Sequence, residues 1–267
     1  MNKRTLIRLL VILVTTANAC WAGGCAKNLA SSGPERTDAN SVDTVLRNLR
    51  ERTAKLKSFE GRIEYLIIQP LFESQSLRKG VLYYQKSDER SKLRINFETL
   101  KQDDEDEEKY IQQYIFDGVW LTEIDYQIEQ VKRYQQAEPN ELVDAFELAR
   151  RNFPIIGFGE TEDLKKEFDI ELVGEQLDKA KDFIHLHLRV KPDSVYKDDY
   201  TAIDCWIDKK LGLPARIAAK STEEDIYQIG FLNAKVNERI DKKVFDFEIP
   251  KGFGEEIIPL KKSNKRK

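Results

Sequence analysis

The residues able to do chemistry are thinly spread in this chain. Its two histidines, His185 and His187, lie two apart in a run that alternates apolar and polar residues. On a strand, that spacing turns both rings to one face. Two imidazoles on one face can begin a metal site, with Asp204 or Asp208 of a neighbouring strand as a third ligand. The polar outer side of an amphipathic strand explains the same spacing without a metal, and no metal is expected. The acidic run Asp103-Asp104-Glu105-Asp106-Glu107-Glu108 could hold calcium, but it lacks the glycine and spaced ligands of a calcium loop. It reads as a solvated connection between two strands. No nucleophile elbow, phosphate-cradling glycine loop or His-Glu metal helix occurs. Gly157-Phe158-Gly159 is too short, and too apolar in its surroundings, to cradle phosphate. With 47 carboxylates in the chain, no pair of acids is diagnostic. Neither enzyme activity nor a cofactor is expected.

The N-terminus carries the sharpest local pattern. Lys3, Arg4 and Arg8 lead into Leu9-Leu10-Val11-Ile12-Leu13-Val14, and small or weakly polar residues follow as far as Ala22. That is the order of a secretory signal peptide, over residues 1–22, and it is set aside from fold reasoning. The apolar part is shorter than the roughly 20 residues a membrane-spanning helix needs. Cleavage after Ala19 or Ala22 would release a soluble periplasmic protein. Alternatively, Ala22-Gly23-Gly24-Cys25 reads as a lipid-attachment box without its usual leading leucine, which would anchor the protein to a membrane through Cys25.

Cysteine usage adds little. Cys20 leaves with the signal, and Cys205 stands alone in an alternating strand, so neither a disulfide framework nor zinc spacing is present. The domain must hold together through its own core, for which roughly 230 residues suffice. Removal of the three N-terminal bases takes the net charge from −3 to about −6 by the same count. An acidic surface argues against nucleic acid as a partner. The basic residues Lys261, Lys262, Lys265, Arg266 and Lys267 end the chain, either as a contact to anionic headgroups or as an ordinary frayed terminus.

The spacing of apolar residues supplies the elements. Residues 23–40 read as a flexible leader, residues 41–258 as one domain and residues 259–267 as a basic tail. A helix is expected at 41–57, capped by Ser41, with Val42, Val45, Leu46, Leu49 and Leu56 on one face. Strands follow at 61–69, 80–86, around Leu93–Phe97, at 110–117, 119–124 and 128–134. Asp117-Gly118 forms a tight turn. A helix at 141–151, an apolar loop at 153–159 and a short helix at 161–167 precede further strands. These include the runs around Ile184–Val190 and Ile203–Ile207, and the last two are placed at 226–231 and 244–249. Leu66-Ile67-Ile68 and Val81-Leu82-Tyr83-Tyr84 are apolar on both faces, which predicts cover on each side. No period of 20–50 residues repeats. The expected fold is mainly β with a few helices: one large, strongly curved antiparallel sheet, an unclosed barrel, covered by helices.

Such a sheet could line an apolar cavity or be packed solid under its helices. Tyr65, Ile67, Tyr83, Phe97, Phe116 and Trp120 lie on strands at apolar spacing and are the candidates to contact a greasy ligand. Replacing Trp120 with a charged residue is expected to abolish lipid retention.

The chain resembles the LolA/LolB-like superfamily of periplasmic lipoprotein carriers, in a divergent form of outer membrane lipoprotein-sorting protein. The matching stretches run in order over about 200 residues. They begin with Leu56-Lys57-Ser58-Phe59-Glu60-Gly61, Gly80-Val81-Leu82-Tyr83 and Phe116-Asp117-Gly118-Val119-Trp120-Leu121. Glu129-Gln130-Val131, Leu188-Arg189-Val190-Lys191-Pro192 and Leu213-Pro214 follow. Phe231-Leu232-Asn233-Ala234-Lys235-Val236-Asn237 and Phe245-Asp246-Phe247-Glu248-Ile249-Pro250-Lys251-Gly252 complete the match. The resemblance implies an unclosed barrel, plugged by helices, that holds lipoprotein acyl chains or phospholipid and hands them on without covalent chemistry. It implies a monomer that meets inner- or outer-membrane protein partners. Relatives include lipid-binding lipoproteins and envelope-stress sensors, and a plain protein-interaction module is a further alternative. Two departures stand out. The arginine-proline pair of the carriers is here Lys86-Ser87, which keeps a charge and loses the planar donor fork. Lys86 is therefore a candidate for the polar rim. The late turn that usually carries glycine is Thr222-Glu223-Glu224-Asp225.

Overall fold

The computed structural model describes residues 41–260, apart from 88–89, 142, 146–147, 149–160 and 175–181. The signal peptide, Cys25, the loop at 153–159 and most of the helix expected at 141–151 lie outside the described residues, as does the basic tail beyond residue 260. The described chain is mainly β. Helix α1 (Val42–Ala54) precedes β1 (Ser58–Gln69), β2 (Ser74–Ser87), β3 (Arg90–Gln102), β4 (Glu108–Phe116), β5 (Trp120–Asp125) and β6 (Gln130–Gln135). Helix α2 (Thr161–Glu167) precedes β7 (Phe168–Leu172), β8 (Phe183–Val190), β9 (Tyr200–Asp208), β10 (Pro214–Ser221), β11 (Ile226–Val236) and β12 (Gly254–Ile258). All twelve strands form one curved, unclosed sheet in the order β12-β6-β5-β4-β3-β2-β1-β11-β10-β9-β8-β7. No helix of the described residues is long and apolar enough to cross a membrane.

Local chemistry accounts for the element ends. The Ser41 side chain accepts from the Thr44 N–H and caps α1. In the Asp117-Gly118 turn, Gly118 takes φ 103°. The Asp117 carboxylate accepts from the Val119 and Trp120 N–H groups, which locks the hairpin. Gly80 sits at a register shift between β2 and β3, where a Cβ would stand 1.9 Å from the Asn96 carbonyl oxygen. The glycine absent from the 222–225 turn is replaced by strain: Glu224 itself takes φ 69°.

Register assigns every strand residue to a face. Ile63, Tyr65 and Ile67 on β1 pair with Phe231, Ile229 and Tyr227 on β11, and with Gly80, Arg78 and Ser76 on β2. The same face continues through Leu93, Ile95 and Phe97 on β3, Gln112, Tyr114 and Phe116 on β4, and Leu121, Glu123 and Asp125 on β5. In the other direction it reaches Ile217 on β10, Cys205 on β9 and Leu186 on β8. We term this the inner face. Helix α1 packs Val45, Leu46 and Leu49 onto its β8–β10 end. Those three residues follow helical spacing, which is why one face of α1 is apolar.

Two expectations are corrected here. No strand occupies residues 244–249. Lys242–Phe245 form a 3-10 turn, and the last strand comes later, at Gly254–Ile258. That strand pairs with β6 in parallel, so the sheet is antiparallel except at this edge. The intervening segment lies on the outer face, where Phe247 and Phe253 pack on the buried Ile115, Ile124 and Val131. Arg94 holds it there, donating to the Val244 and Asp246 carbonyls at 2.7 Å each. Outer-face cover therefore falls on β4–β6, whereas Leu66, Ile68, Val81 and Tyr83 on the outer side of β1 and β2 stay partly exposed.

Candidate functional site

The inner face has two unequal parts. Beneath α1, Leu186, Leu188, Ile203, Cys205, Ile217 and Ala219 are each 0% exposed. This part is filled. Burial pushes the Cys205 thiol up to about 12, so it stays protonated and unreactive. Further along the same face, Tyr65, Ile67, Phe97 and Ile63 form a separate buried cluster. Around them Leu82, Ile95, Tyr227, Ile229 and Phe231 keep part of their surface open. Phe97 meets Tyr114 edge to face, with centroids 6.3 Å apart and planes at 86°, and lies tilted at 32° to Tyr65.

Four of the six residues named from sequence share this face. Tyr65, Ile67 and Phe97 belong to one cluster, and Phe116 lies next door in a second cluster with Phe59, Tyr84 and Leu148. Tyr83 and Trp120 lie on the outer face instead. Tyr83 stands opposite Glu60 and Arg94, and Trp120 sits beneath the Arg133 guanidinium at 5.1 Å. Alternation separates them: Tyr83 and Tyr84 are neighbours in sequence and point to opposite sides. Lys86 falls on the inner parity at the end of β2 and makes a 3.7 Å ion pair with Asp144.

Sequence reasoning missed a polar cluster on the inner face, beside the aromatic one. Gln112 is 0% exposed. Its Oε1 accepts from Arg78 Nη1 at 3.0 Å, and its Nε2 donates to Glu123 Oε1 at 3.0 Å. The Tyr114 hydroxyl donates to the same carboxylate oxygen at 3.1 Å, and the Tyr134 hydroxyl reaches the other at 3.5 Å. Burial raises the Glu123 carboxyl above its ordinary value, against the opposing pull of the two phenols and Lys132. Burial and the Glu123 charge hold the Tyr114 hydroxyl well above its own. Arg78, Gln112 and Glu123 have the parity of Tyr84, Tyr114 and Leu121 on their strands, but parity alone does not separate a buried polar residue from a solvent-facing one.

The histidines stand on the outer face. His185 Nε2 and His187 Nδ1 approach the same oxygen, Asp204 Oδ1, at 2.7 and 2.9 Å. His185 stacks on Trp206 at 4.3 Å, and Arg216 covers the same indole at 3.6 Å. Asp208 plays no part, because it accepts the Lys210 and Leu211 N–H groups of the next turn. Among the described residues no group of three or more His, Cys, Asp or Glu is arranged to hold a metal ion. The acidic run is spent partly on structure. Asp103 accepts the Gln75 N–H at 2.6 Å, and Glu107 accepts from Lys79 and Thr99. A cleft of about 410 Å³ opens between α1 and the β8–β9 end of the sheet, lined by Val45, Leu49, Ile184 and Ile207 with Arg52 and Lys209. None of the six residues named from sequence as ligand contacts lines it.

No protein-family model and no curated protein matches the chain. Solved structures of similar shape include the MucA/MucB complex of Pseudomonas aeruginosa, with 16% identity and a TM-score of 0.43. That match covers 76% of this chain and 60% of the other, so the chain spans less than two thirds of that relative's length. An uncharacterized conserved protein from Thermus thermophilus is 11% identical at a TM-score of 0.46, over 80% of this chain and 98% of its own. Likenesses at this level assign no function. A LolA superfamily protein from Nitrosomonas europaea is 15% identical at a TM-score of 0.33, over 77% of this chain and 97% of its own.

Proposed function

We propose that the inner face of β1–β4 and β11 holds the acyl chains of a lipid or lipoprotein within the cell envelope. Binding and hand-over for outer-membrane sorting, without covalent chemistry, is the role this reading assigns. One observation carries it. The inner face is sealed under α1, but around Tyr65, Ile67 and Phe97 it leaves Leu82, Ile95, Ile229 and Phe231 partly open. Exposed apolar area of this kind is covered at a gain of about 25 cal/mol per Å². A membrane-anchored lipid-binding lipoprotein would use the same face, and an intact mass of the mature protein at Cys25 separates the two forms.

The geometry moves the charged-residue test from Trp120 to Ile95, whose side chain lies on the inner face and is not fully buried. Delipidated mature protein is titrated with a dansylated fatty acid. Ile95→Glu should weaken binding at least tenfold with near-native circular dichroism, while Trp120→Glu should bind as the wild type does. Equal binding by wild type and Ile95→Glu would sink the proposal.

A further inference from the structure

The polar cluster bordering the acyl face has one unfinished member. Arg78 stands directly across from Tyr65 in the β1–β2 register, so its stem starts inside the apolar patch. Its guanidinium lies over the Tyr110 ring at 5.2 Å, and Nη1 is committed to Gln112. Nε is buried and has no hydrogen-bond partner among the described residues. Arg78 also makes no ion pair with a described carboxylate, because Gln112 stands between it and Glu123. With Nη1 engaged, the side-on edge formed by Nε and Nη2 is the part of the guanidinium left for a ligand. That edge presents two parallel N–H groups, the geometry that grips a carboxylate or phosphate with both oxygens. A buried donor without an acceptor is unfavourable, and an acceptor arriving with the ligand would relieve it.

We infer that Arg78 receives the anionic head of the amphiphile whose chains occupy the inner face, taking a phosphodiester or carboxylate oxygen pair on its Nε–Nη2 edge. This rests on the proposed acyl-binding function and adds the ligand's head to it. The aromatic wall fits the assignment. The Tyr110 ring lies beside the guanidinium, and Gln112 holds its Nη1. The head is thereby held at one border of the patch while the chains lie along Tyr65, Phe97 and Ile95.

The test compares three ligands on delipidated mature protein by calorimetry in one detergent: phosphatidylglycerol, oleate and uncharged diacylglycerol. Wild type should bind at least one of the two anions tenfold or more tightly than diacylglycerol. Whichever anion wins identifies the head as phosphodiester or carboxylate. Arg78→Gln should bind all three alike, and Arg78→Lys should recover only part of the preference. If wild type binds diacylglycerol as tightly as both anions, or Arg78→Gln keeps the preference, the assignment of Arg78 is wrong while acyl binding stands. If none of the three binds, the acyl-binding reading fails as well. The wild-type comparison decides the matter even if a variant does not fold.

Discussion

The two halves of the inner face begin from the same pattern and end differently. On β8 and β9, Leu186, Leu188, Ile203 and Cys205 alternate with polar residues and are each 0% exposed. On β3, Leu93 and Ile95 alternate just as regularly with Arg94 and Asn96, yet they retain exposed surface. The difference is the cover. Val45, Leu46 and Leu49 of α1 fill the first half. In the second half Leu93 packs with Ala145 and Leu148, and Ile95 packs with Tyr65 and Phe97 of the sheet itself, beside the Arg78–Gln112–Glu123 cluster. Period-2 alternation tells which residues share a face. It does not tell which part of that face a helix will seal.

Truncation tests this contrast most strongly. Leu186→Ala removes packed atoms from the sealed half and should cost about 2–5 kcal/mol in urea denaturation. Ile95→Ala in the open half should cost under about 1.5 kcal/mol, since part of its side chain is already in water. Equal losses would mean that the two halves are packed alike. Next in size is the strap on the outer face. Arg94→Ala removes two charge-assisted hydrogen bonds to the Val244 and Asp246 carbonyls. It should cost about 1.5–3 kcal/mol and raise hydrogen exchange in β12 before the rest of the sheet. Uniform exchange across the sheet would show that Arg94 does not hold the segment.

The smallest effect concerns pH. The Glu123 carboxyl is raised by burial, so between its ordinary value of 4.5 and its folded value the native state binds more protons than the unfolded chain. Stability therefore falls as pH rises through that window and levels off above it. Glu123→Gln should flatten this slope, and thermal melts from pH 4 to pH 8 would detect it. An unchanged slope would assign the pH dependence to other groups.

Much of the fold was legible in the residues. Val45, Leu46 and Leu49 of the α1 stripe, the Asp117-Gly118 hairpin and the alternation at Ile184–Val190 reappear as read, because each depends on local backbone geometry and on one buried side. Leu56 does not, because the helix ends at Ala54 and Leu56 packs with Phe59 and Tyr84 instead. The parallel strand Gly254–Ile258 was not legible. Its Glu255-Glu256 pair has no apolar alternation, and it is held as an edge by β6 and by Phe253 packing nearby. Of the candidate site, Tyr65, Ile67, Phe97 and Phe116 were legible as apolar strand residues. Arg78, Gln112 and Glu123 were not, since polar residues at inner parity look like solvent-facing ones until their partners are known.

The sequence by itself determined a mainly β chain, the positions of most strands and the absence of a recognisable catalytic motif, because these follow from composition and from spacing along one segment. Only the tertiary structure decided that Tyr83 and Trp120 face away from Phe97, that α1 seals one half of the inner face, and that Gln112 joins Arg78 to Glu123. Those outcomes depend on register between strands far apart in the chain. A shift of one residue in that pairing would turn every side chain to the other face.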